Sequence, residues 1–202
     1  MAYSDFTIEE VKARFKLKFE ERQDLFSSVP AIKISPMLRD TLAENTPLAL
    51  AMNTEKARSE LMIAPILLEV RRRAGEEVSL FSGADFNVDP EKGLKGTCDF
   101  LLSRSREQLT IEAPLIAVVE AKNENMKGGI GQCVAEMVAA ALFNERKGSP
   151  LPAVFGAVTT GNNWKFLRLS GTTASIDLAE YHIKEVDRIV AILTGILLGT
   201  AG

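Results

Sequence analysis

A glutamate and a lysine two residues apart, Glu120 and Lys122 in the segment VVEAKNEN, could supply a carboxylate and a positive charge to one reaction site. In an extended strand, residues two apart point to the same face, so both side chains emerge together while Ala121 points away. The preceding residues 115–119 are purely apolar, as in a buried strand that ends where its first charges begin. The pair therefore lies either at a chemically active sheet end or at a strand end that simply enters water.

A second carboxylate, Asp99 in GTCDFLLS, favours the first interpretation. If this segment and PLIAVVEAK form adjacent antiparallel strands, Asp99 and Glu120 come from their paired ends. Two carboxylates so placed repel each other and are costly to desolvate, and a cation between them offsets both costs. Mg²⁺ suits such a site because it binds through few protein carboxylates, and the backbone carbonyl of Ala121 offers a third oxygen. The ion would stabilise phosphodiester displacement and acidify a bound water, while Lys122 would position that water or neutralise the transition state.

Five short motifs, in this order, resemble the PD-(D/E)XK nuclease superfamily, and within it the amino-terminal nuclease domain of type I restriction enzyme motor subunits and related stand-alone proteins. The resemblance covers roughly residues 55–169. SELMIAPIL is similar to the first core helix, GTCDF to the strand with the metal-binding aspartate, and VVEAK to the E-x-K strand. GIGQCVAEM resembles the helix that presents a glutamine to the site, and FGAVTTGNNWKFLRL resembles the late hairpin. The sequence departs from some members at Cys98, where they have proline, and at Glu136, where they have tyrosine.

The resemblance implies a role for each residue that matches a motif. The implied roles are metal binding by Asp99 and Glu120, assistance to catalysis by Lys122, completion of the acidic cluster by Glu60, and orientation of the metal-bound water or the nucleic-acid backbone by Gln132. The residues alone do not decide the role of Glu60, because it also lies four positions after Lys56, a spacing typical of a surface ion pair on a helix. Its rival Glu69 lies near the helix end and is expected to be solvated.

Periodicity predicts the elements that must hold these residues. Apolar spacing predicts an amphipathic helix over residues 4–26 and a second helix over residues 53–74. Asn53 or Thr54 can cap the second helix, Gly75 can end it, and Pro65 predicts a kink. Extended and helical segments then follow in this order: strands within 78–89, 96–103 and 114–122, a helix at 131–146, strands at 152–160 and 163–169 joined by the turn Gly161-Asn162, a short strand near 175–181, and a helix at 184–198.

This order predicts an α/β fold in which helices cover both faces of a mixed central sheet, and the resemblance implies that the fold is restriction-endonuclease-like. The length of 202 residues suits one domain. We expect residues 1–52 to form an N-terminal helical extension and residues 53–202 to form the α/β core.

The charge of the chain does not by itself indicate a nucleic-acid partner. The net charge is −3 and the pI near 5.4, whereas nucleic-acid binders usually present a basic surface. Basic residues do cluster locally, at Arg71, Arg72 and Arg73, at Lys12 to Lys18, and at Lys92, Lys95 and Lys127 in loops near the proposed site. The arginine run is explained equally well by a helix C-terminus, which attracts positive charge. If instead these side chains share a groove, binding to phosphates should weaken steeply with salt.

Other motifs are excluded or assigned to structure. Cys98 and Cys133 have no zinc-type spacing and no signal peptide precedes them, so we expect a reduced, cytoplasmic setting. The apolar residues 189–201 are too few to cross a membrane and predict a buried helix. His182 is expected at a surface or interface. No P-loop motif occurs, so any translocating motor would be a separate chain.

Three hypotheses follow. The first is a Mg²⁺-dependent nuclease acting on DNA, in which Mn²⁺ could substitute for Mg²⁺. The second is a non-catalytic module that binds nucleic acid or protein and retains the nuclease fold. The third is a structural oligomer, such as a homodimer, in which residues 189–198 form the interface. Metal-dependent cleavage separates the first from the second, and gel filtration tests the third.

Overall fold

Within residues 1–201, which the computed structural model describes, the chain forms six α-helices and one eight-stranded sheet. The helices are α1 (Ile8–Phe15), α2 (Pro36–Met52), α3 (Glu55–Arg58), α4 (Ala64–Ala74), α5 (Met126–Arg146) and α6 (Val186–Leu198). The strands are β1 (Lys18–Gln23), β2 (Ser79–Asp85), β3 (Thr97–Ser103), β4 (Leu115–Ala121), β5 (Val154–Thr159), β6 (Asn163–Ser170), β7 (Thr173–Asp177) and β8 (Tyr181–His182).

The sheet is mixed, with strand order β1-β7-β6-β5-β4-β3-β2, and β8 pairs with the end of β6. Strands β2, β3 and β4 form an antiparallel meander, whereas β5 is parallel to β4 because α5 carries the chain across the sheet between them. Strands β5, β6 and β7 are again antiparallel, and β1 is parallel to β7. The predicted α/β fold with helices beside a mixed sheet is confirmed.

Each face of the sheet is covered by its own hydrophobic core. One core joins the sheet to α2, α4 and α6 and contains the fully buried Trp164 and Phe166. The other joins it to α1 and α5 and contains Cys133, Val134 and Met137 of α5. Alternation along β4 sends Ala117, Val119 and Ala121 to the first core and Val118 to the second, so that Glu120 points toward α5.

The helix predicted over residues 4–26 is wrong beyond Phe15. Lys16 takes a left-handed conformation with φ of 53° and ends α1, and Lys18–Gln23 then extends as β1 against β7. Since β1 is almost wholly exposed, it has no alternating apolar pattern, and its pairing partner lies about 150 residues further along the chain. Residues 1–52 therefore supply a strand of the sheet as well as helices.

Helix α2 was not predicted, and it contains two prolines, Pro36 and Pro47. Ser35 caps it by accepting a hydrogen bond from the Leu38 N–H at 3.2 Å, and Pro36 takes the first turn, where a missing N–H costs nothing. The helix predicted over residues 53–74 is present, with Thr54 as its cap and Gly75 at its end. Ahead of Pro65, the irregularity expected as a kink is a π-helical turn, Ser59–Ile63, between α3 and α4.

The closing helix α6 lies inside the fold. Its apolar side chains Ile189, Ile192, Leu193, Ile196 and Leu197 are buried against α4 and the sheet, whereas Leu198 is 52% exposed. This placement leaves little of α6 for the intermolecular interface of the third hypothesis. Among the described residues, no helix combines the length and the apolar character needed to cross a membrane.

Candidate functional site

Asp99 and Glu120 meet across two neighbouring strands. The antiparallel register of β3 and β4 pairs Phe100 with Val119, so the next pair toward the sheet end is Asp99 and Glu120. Asp99 Oδ2 accepts a hydrogen bond from the Ala121 N–H at 2.7 Å, which fixes the carboxylate against β4. The juxtaposition of the two acids that the sequence predicted is therefore present.

Lys122 completes this cluster from the end of β4. Its Nζ lies 2.5 Å from Glu120 Oε1 and also donates to Gln132 Oε1 at 3.2 Å. The aliphatic part of the lysine crosses α5 at Gly129, where a Cβ would come within 3.0 Å of Lys122 Cγ. A glycine at this helix position thus makes room for the lysine to reach back over the sheet.

Glu136 also belongs to the cluster. In the sequence it stood out only as a departure from the family pattern. Gln132 Nε2 donates to Glu136 Oε1 at 3.2 Å, so that Gln132 links Lys122 to Glu136. The side chain of Glu136 is 0% exposed and that of Glu120 is 1% exposed. The spacing of four residues between Gln132 and Glu136 was the available signal, since it places both on one face of a helix.

Burial controls the protonation of these acids. Burial and the charge of Asp99 raise the pKa of Glu120 to about 7, although Lys122 opposes the rise. Burial and the neighbouring Glu120 raise the pKa of Glu136 well above its ordinary value. Within residues 1–201, Oε2 of Glu120 and Oε2 of Glu136 are both buried without a hydrogen-bond partner. Burial and the neighbouring charge thus favour the protonated form of Glu136, and a proton between the two carboxyl groups would give both atoms a hydrogen-bond partner.

The remaining charges of the cluster respond to the same environment. Burial raises the pKa of Asp99, although the Ala121 N–H and Lys122 favour its ionised form. Burial disfavours the charged form of Lys122, but Glu120 outweighs this effect and raises the pKa of the lysine. Lys122 therefore keeps its positive charge, whereas the carboxyl groups beside it lose their protons only at a higher pH than usual.

Glu60 lies on the π-helical turn and borders the same site. Its carboxylate forms the ion pair with Lys56 that the spacing allowed, at 2.9 Å, and both side chains are largely exposed. Glu60 and Asp99 nonetheless line one cleft of about 270 Å³, together with Glu55 of α3. Glu55 was not singled out in the sequence, yet it lies close enough to Lys122 to contribute to the raised pKa of that lysine.

Glu69, which the sequence placed in solvent, is 3% exposed. Its carboxylate accepts hydrogen bonds from the Ser35 N–H and hydroxyl, at 3.1 and 2.8 Å, and from Arg73 at 2.8 Å. Burial opposes its ionisation, but these hydrogen bonds outweigh burial and lower the pKa of Glu69. The expectation was wrong because Ser35, at the start of α2, covers this part of α4. Glu69 therefore joins the two helices and lies outside the cluster.

The basic residues singled out in the sequence have different surroundings in the structure. Arg71 and Arg73 donate to the carbonyls of Val78 and Lys33, so both side chains make hydrogen bonds within the protein. Lys127 lies in the first turn of α5, whereas a loop was predicted, and it lines a cleft with Lys165. Lys95 and Lys92 are exposed ahead of β3, and Lys12 lies over the ring of Phe19.

His182 and the cysteines have structural surroundings. His182 Nδ1 accepts a hydrogen bond from the Lys184 N–H at 3.1 Å and so caps a short helical turn. Cys98 and Cys133 are buried and unpaired, and burial raises the pKa of both thiols. In the described part of the chain, no three Cys, His, Asp or Glu side chains are already arranged as a metal-binding group.

Comparisons of the chain with protein-family models, curated proteins and solved structures found no match. The cluster itself, formed by Asp99, Glu120, Lys122, Gln132 and Glu136, is therefore the ground for any functional conclusion.

Proposed function

We propose that this protein is a Mg²⁺-dependent nuclease that hydrolyses phosphodiester bonds, with DNA as its substrate, and that its fold is of the restriction-endonuclease-like, PD-(D/E)XK type. The observation that carries the proposal is the meeting of Asp99, Glu120 and Lys122 at one end of the β3-β4 pair. The order of α4, the β2-β4 meander, α5 and then β5 parallel to β4 supports the fold assignment.

The donor set fits a hard divalent cation. Asp99 and Glu120 offer carboxylate oxygens, and Oε2 of Glu120 is buried with no hydrogen-bond partner in residues 1–201. Asp99 also borders the cleft through which solvent and ions can enter. The carbonyl of Ala121 is the proposed third protein ligand, and Glu60 is placed to complete the acidic border of the cleft. A bound Mg²⁺, or Mn²⁺ in its place, would neutralise charge on the phosphodiester and lower the pKa of a water.

The residues around the donor set have complementary roles. Lys122 keeps its positive charge because its pKa is raised, and it can stabilise negative charge that develops on a phosphate. Gln132 orients Lys122 by accepting its hydrogen bond, and it holds Glu136 by donating a hydrogen bond to that carboxyl group. Because the pKa of Glu120 is raised to about 7, a cation that binds near neutral pH must displace the proton that this carboxyl group partly retains.

One observation favours a second candidate, a non-catalytic module that binds nucleic acid or protein. The Lys122 ammonium already pairs with Oε1 of Glu120, so part of the negative charge of the cluster is balanced without a metal. In this alternative the cluster stabilises the sheet end, and the exposed Lys95 and Lys127 provide contacts to a polyanion. A translocating motor subunit is a further proposed partner in either case, and residues 1–202 themselves contain no P-loop.

The decisive experiment is cleavage of single- and double-stranded DNA and RNA with Mg²⁺, Mn²⁺ or EDTA. We expect cleavage of DNA with either metal, none with EDTA, and a loss of about a hundredfold or more in Glu120→Ala and Lys122→Ala. Lys147→Ala is the matched control, because Lys147 is an exposed lysine at the far end of α5.

Circular dichroism and thermal melting of each variant separate lost activity from lost folding. Polynucleotides that stay intact with every metal, together with undetectable Mn²⁺ binding, would contradict the nuclease. Retained DNA binding under those conditions would support the non-catalytic module.

A further inference from the structure

A charged side chain lies on the core face of a central strand, away from the cluster. Arg168 of β6 is paired with Phe155 of β5 and with Ser175 of β7, so its side chain shares the sheet face of Phe155. Arg168 is half-buried, and its Nε is buried with no hydrogen-bond partner within residues 1–201. An unpaired guanidinium N–H in such a place costs free energy, so a partner that accepts from it would stabilise the protein.

The side chain of Arg168 opens onto a cavity of about 350 Å³. Ile116, Phe155 and Ile196 form apolar walls, and Arg104 supplies a second guanidinium. A pocket of this size with mostly apolar walls and a few convergent polar groups is typical of a small-molecule site.

Arg104 is held in place by the end of α6. Its Nε and Nη2 donate to the carbonyl of Leu197 at 3.0 and 2.7 Å, which orients the guanidinium group without neutralising its charge. In the described part of the chain neither Arg104 nor Arg168 belongs to an ion pair with a carboxylate. Among residues 1–201, two cationic groups thus border one cavity that no Asp or Glu side chain lines.

We infer that this cavity binds a small organic anion, whose carboxylate or phosphate group meets Arg104 and Arg168 and whose apolar body packs on Ile116, Phe155 and Ile196. Guanidinium groups bind both kinds of oxyanion through charge-assisted hydrogen bonds. An anion here accepts from the unpartnered Nε of Arg168, and the apolar walls exclude the water that would compete for it.

This site is separate from the proposed nuclease centre. Arg168 and Phe155 lie near the end of β6 and the start of β5, whereas Glu120 and Lys122 lie at the end of β4, which runs parallel to β5. The cavity borders α6, and the cluster borders α5. Its ligand is therefore distinct from a polynucleotide at the cluster, and the inference does not depend on the proposed function.

Binding of simple probes to the full chain tests the inference. The probes are 3-phenylpropionate and phenyl phosphate, which share an apolar ring and differ in their anionic group, and 3-phenylpropanamide, which is the neutral counterpart of the first. Isothermal titration calorimetry should detect at least one anion, bound about tenfold or more tightly than the amide. Which anion binds distinguishes a carboxylate ligand from a phosphate ligand.

Variants then assign the binding to Arg168. Arg168→Met, which keeps an unbranched, flexible side chain but removes the guanidinium group, should weaken anion binding about tenfold or more. Arg39→Met is the matched control at an exposed arginine of α2 and should leave binding unchanged. The Nε–Hε resonance of Arg168 in the wild-type protein should shift during the titration, a measurement that does not require a variant to fold. Failure of both anions to bind, equal binding of the amide, or an unmoved Arg168 resonance would each overturn the inference.

Discussion

Two kinds of buried carboxyl group coexist in this protein at the scale of the residue. Glu69 is surrounded by donors, from Ser35 and Arg73, and the pKa of its carboxyl is lowered. Glu120 and Glu136 lie side by side with unpartnered oxygens, and the pKa of each is raised. The two kinds must make opposite contributions to the dependence of stability on pH.

Glu69→Gln should be most destabilising at neutral pH. A carboxylate with a lowered pKa in the folded state stabilises the protein above its unfolded pKa, and this contribution disappears as the pH falls through the folded pKa. We expect a loss of about 2 kcal/mol in the free energy of unfolding at pH 7, and a smaller loss at pH 4. Urea denaturation at both pH values measures it, and a loss that is the same at both would contradict the lowered pKa.

Glu120→Gln should show the reverse trend. The pKa of Glu120 is raised to about 7 in the folded state, so the wild-type protein loses stability as the pH rises from about 5 to about 7, whereas the amide cannot ionise. The stability of the variant relative to wild type should therefore increase by about 2 kcal/mol over this range in metal-free buffer. Denaturation curves with EDTA at several pH values provide the comparison, and parallel profiles would exclude the raised pKa.

The chemistry of individual residues was only partly readable from the sequence. The E-x-K spacing and the apolar run before it located Glu120 and Lys122, because strand alternation is a local rule. The burial of Glu136 and Glu69 was not readable, because it depends on which elements cover α5 and α4. Both acids occupy helix positions where exposure is the ordinary outcome for glutamate.

At the scale of the element, α5 is the helix against which the rest of the site is assembled. The chain segment before α1 lies directly on it, and a Cβ at Gly131 would come within 2.4 Å of the Phe6 carbonyl oxygen. On the sheet side, a Cβ at Gly156 of β5 would come within 2.5 Å of Met137 Sδ. Glycines thus set the distances at which α5 packs on its neighbours.

Gly131→Ala should destabilise the protein by about 2 kcal/mol, because the added methyl group meets backbone atoms that cannot move aside. Glu145→Ala is the control at an exposed position of the same helix and should leave the stability within about 0.5 kcal/mol of wild type. Thermal melting of both variants measures the difference. Equal melting temperatures for the two variants would show that the segment before α1 can shift away from α5.

Helices and strands with a recognisable local sequence pattern were predicted, whereas a strand that depends on pairing with a distant segment was not. Strands β2 to β6 and helices α5 and α6 follow from alternation, helical periodicity and turn residues. Strand β1 was interpreted as helix because its charged, exposed residues become a strand only through β7. Helix α2 had a readable start at Ser35-Pro36, but its mixed exposure of apolar residues weakens the periodic pattern.

At the scale of the whole molecule, the sheet separates two chemically different regions. The cluster of Asp99, Glu120 and Lys122 lies beside α5, and the cavity of Arg104 and Arg168 lies beside α6. Helix α6 closes the second core, so its apolar residues are needed within the chain and leave little surface for a partner.

Two substitutions in α6 test this arrangement. Ile192→Asp should unfold the protein or cost more than about 3 kcal/mol, because it places an unpaired charge in the core. Leu198→Asp, at the exposed end of the same helix, should change neither the melting temperature nor the elution volume in gel filtration. An elution volume that increases in Leu198→Asp would instead identify α6 as an interface between copies.

The pairing of β1 with β7 has a consequence for synthesis. The register of Lys18 with Thr173 means that the first strand cannot enter the sheet until about 150 further residues have been translated. At typical elongation rates this delay is roughly 8 to 30 s, during which the amino-terminal segment has no sheet edge to join. During this delay on the ribosome, the charged and almost fully exposed β1 offers little apolar surface for misassociation or for binding by a chaperone.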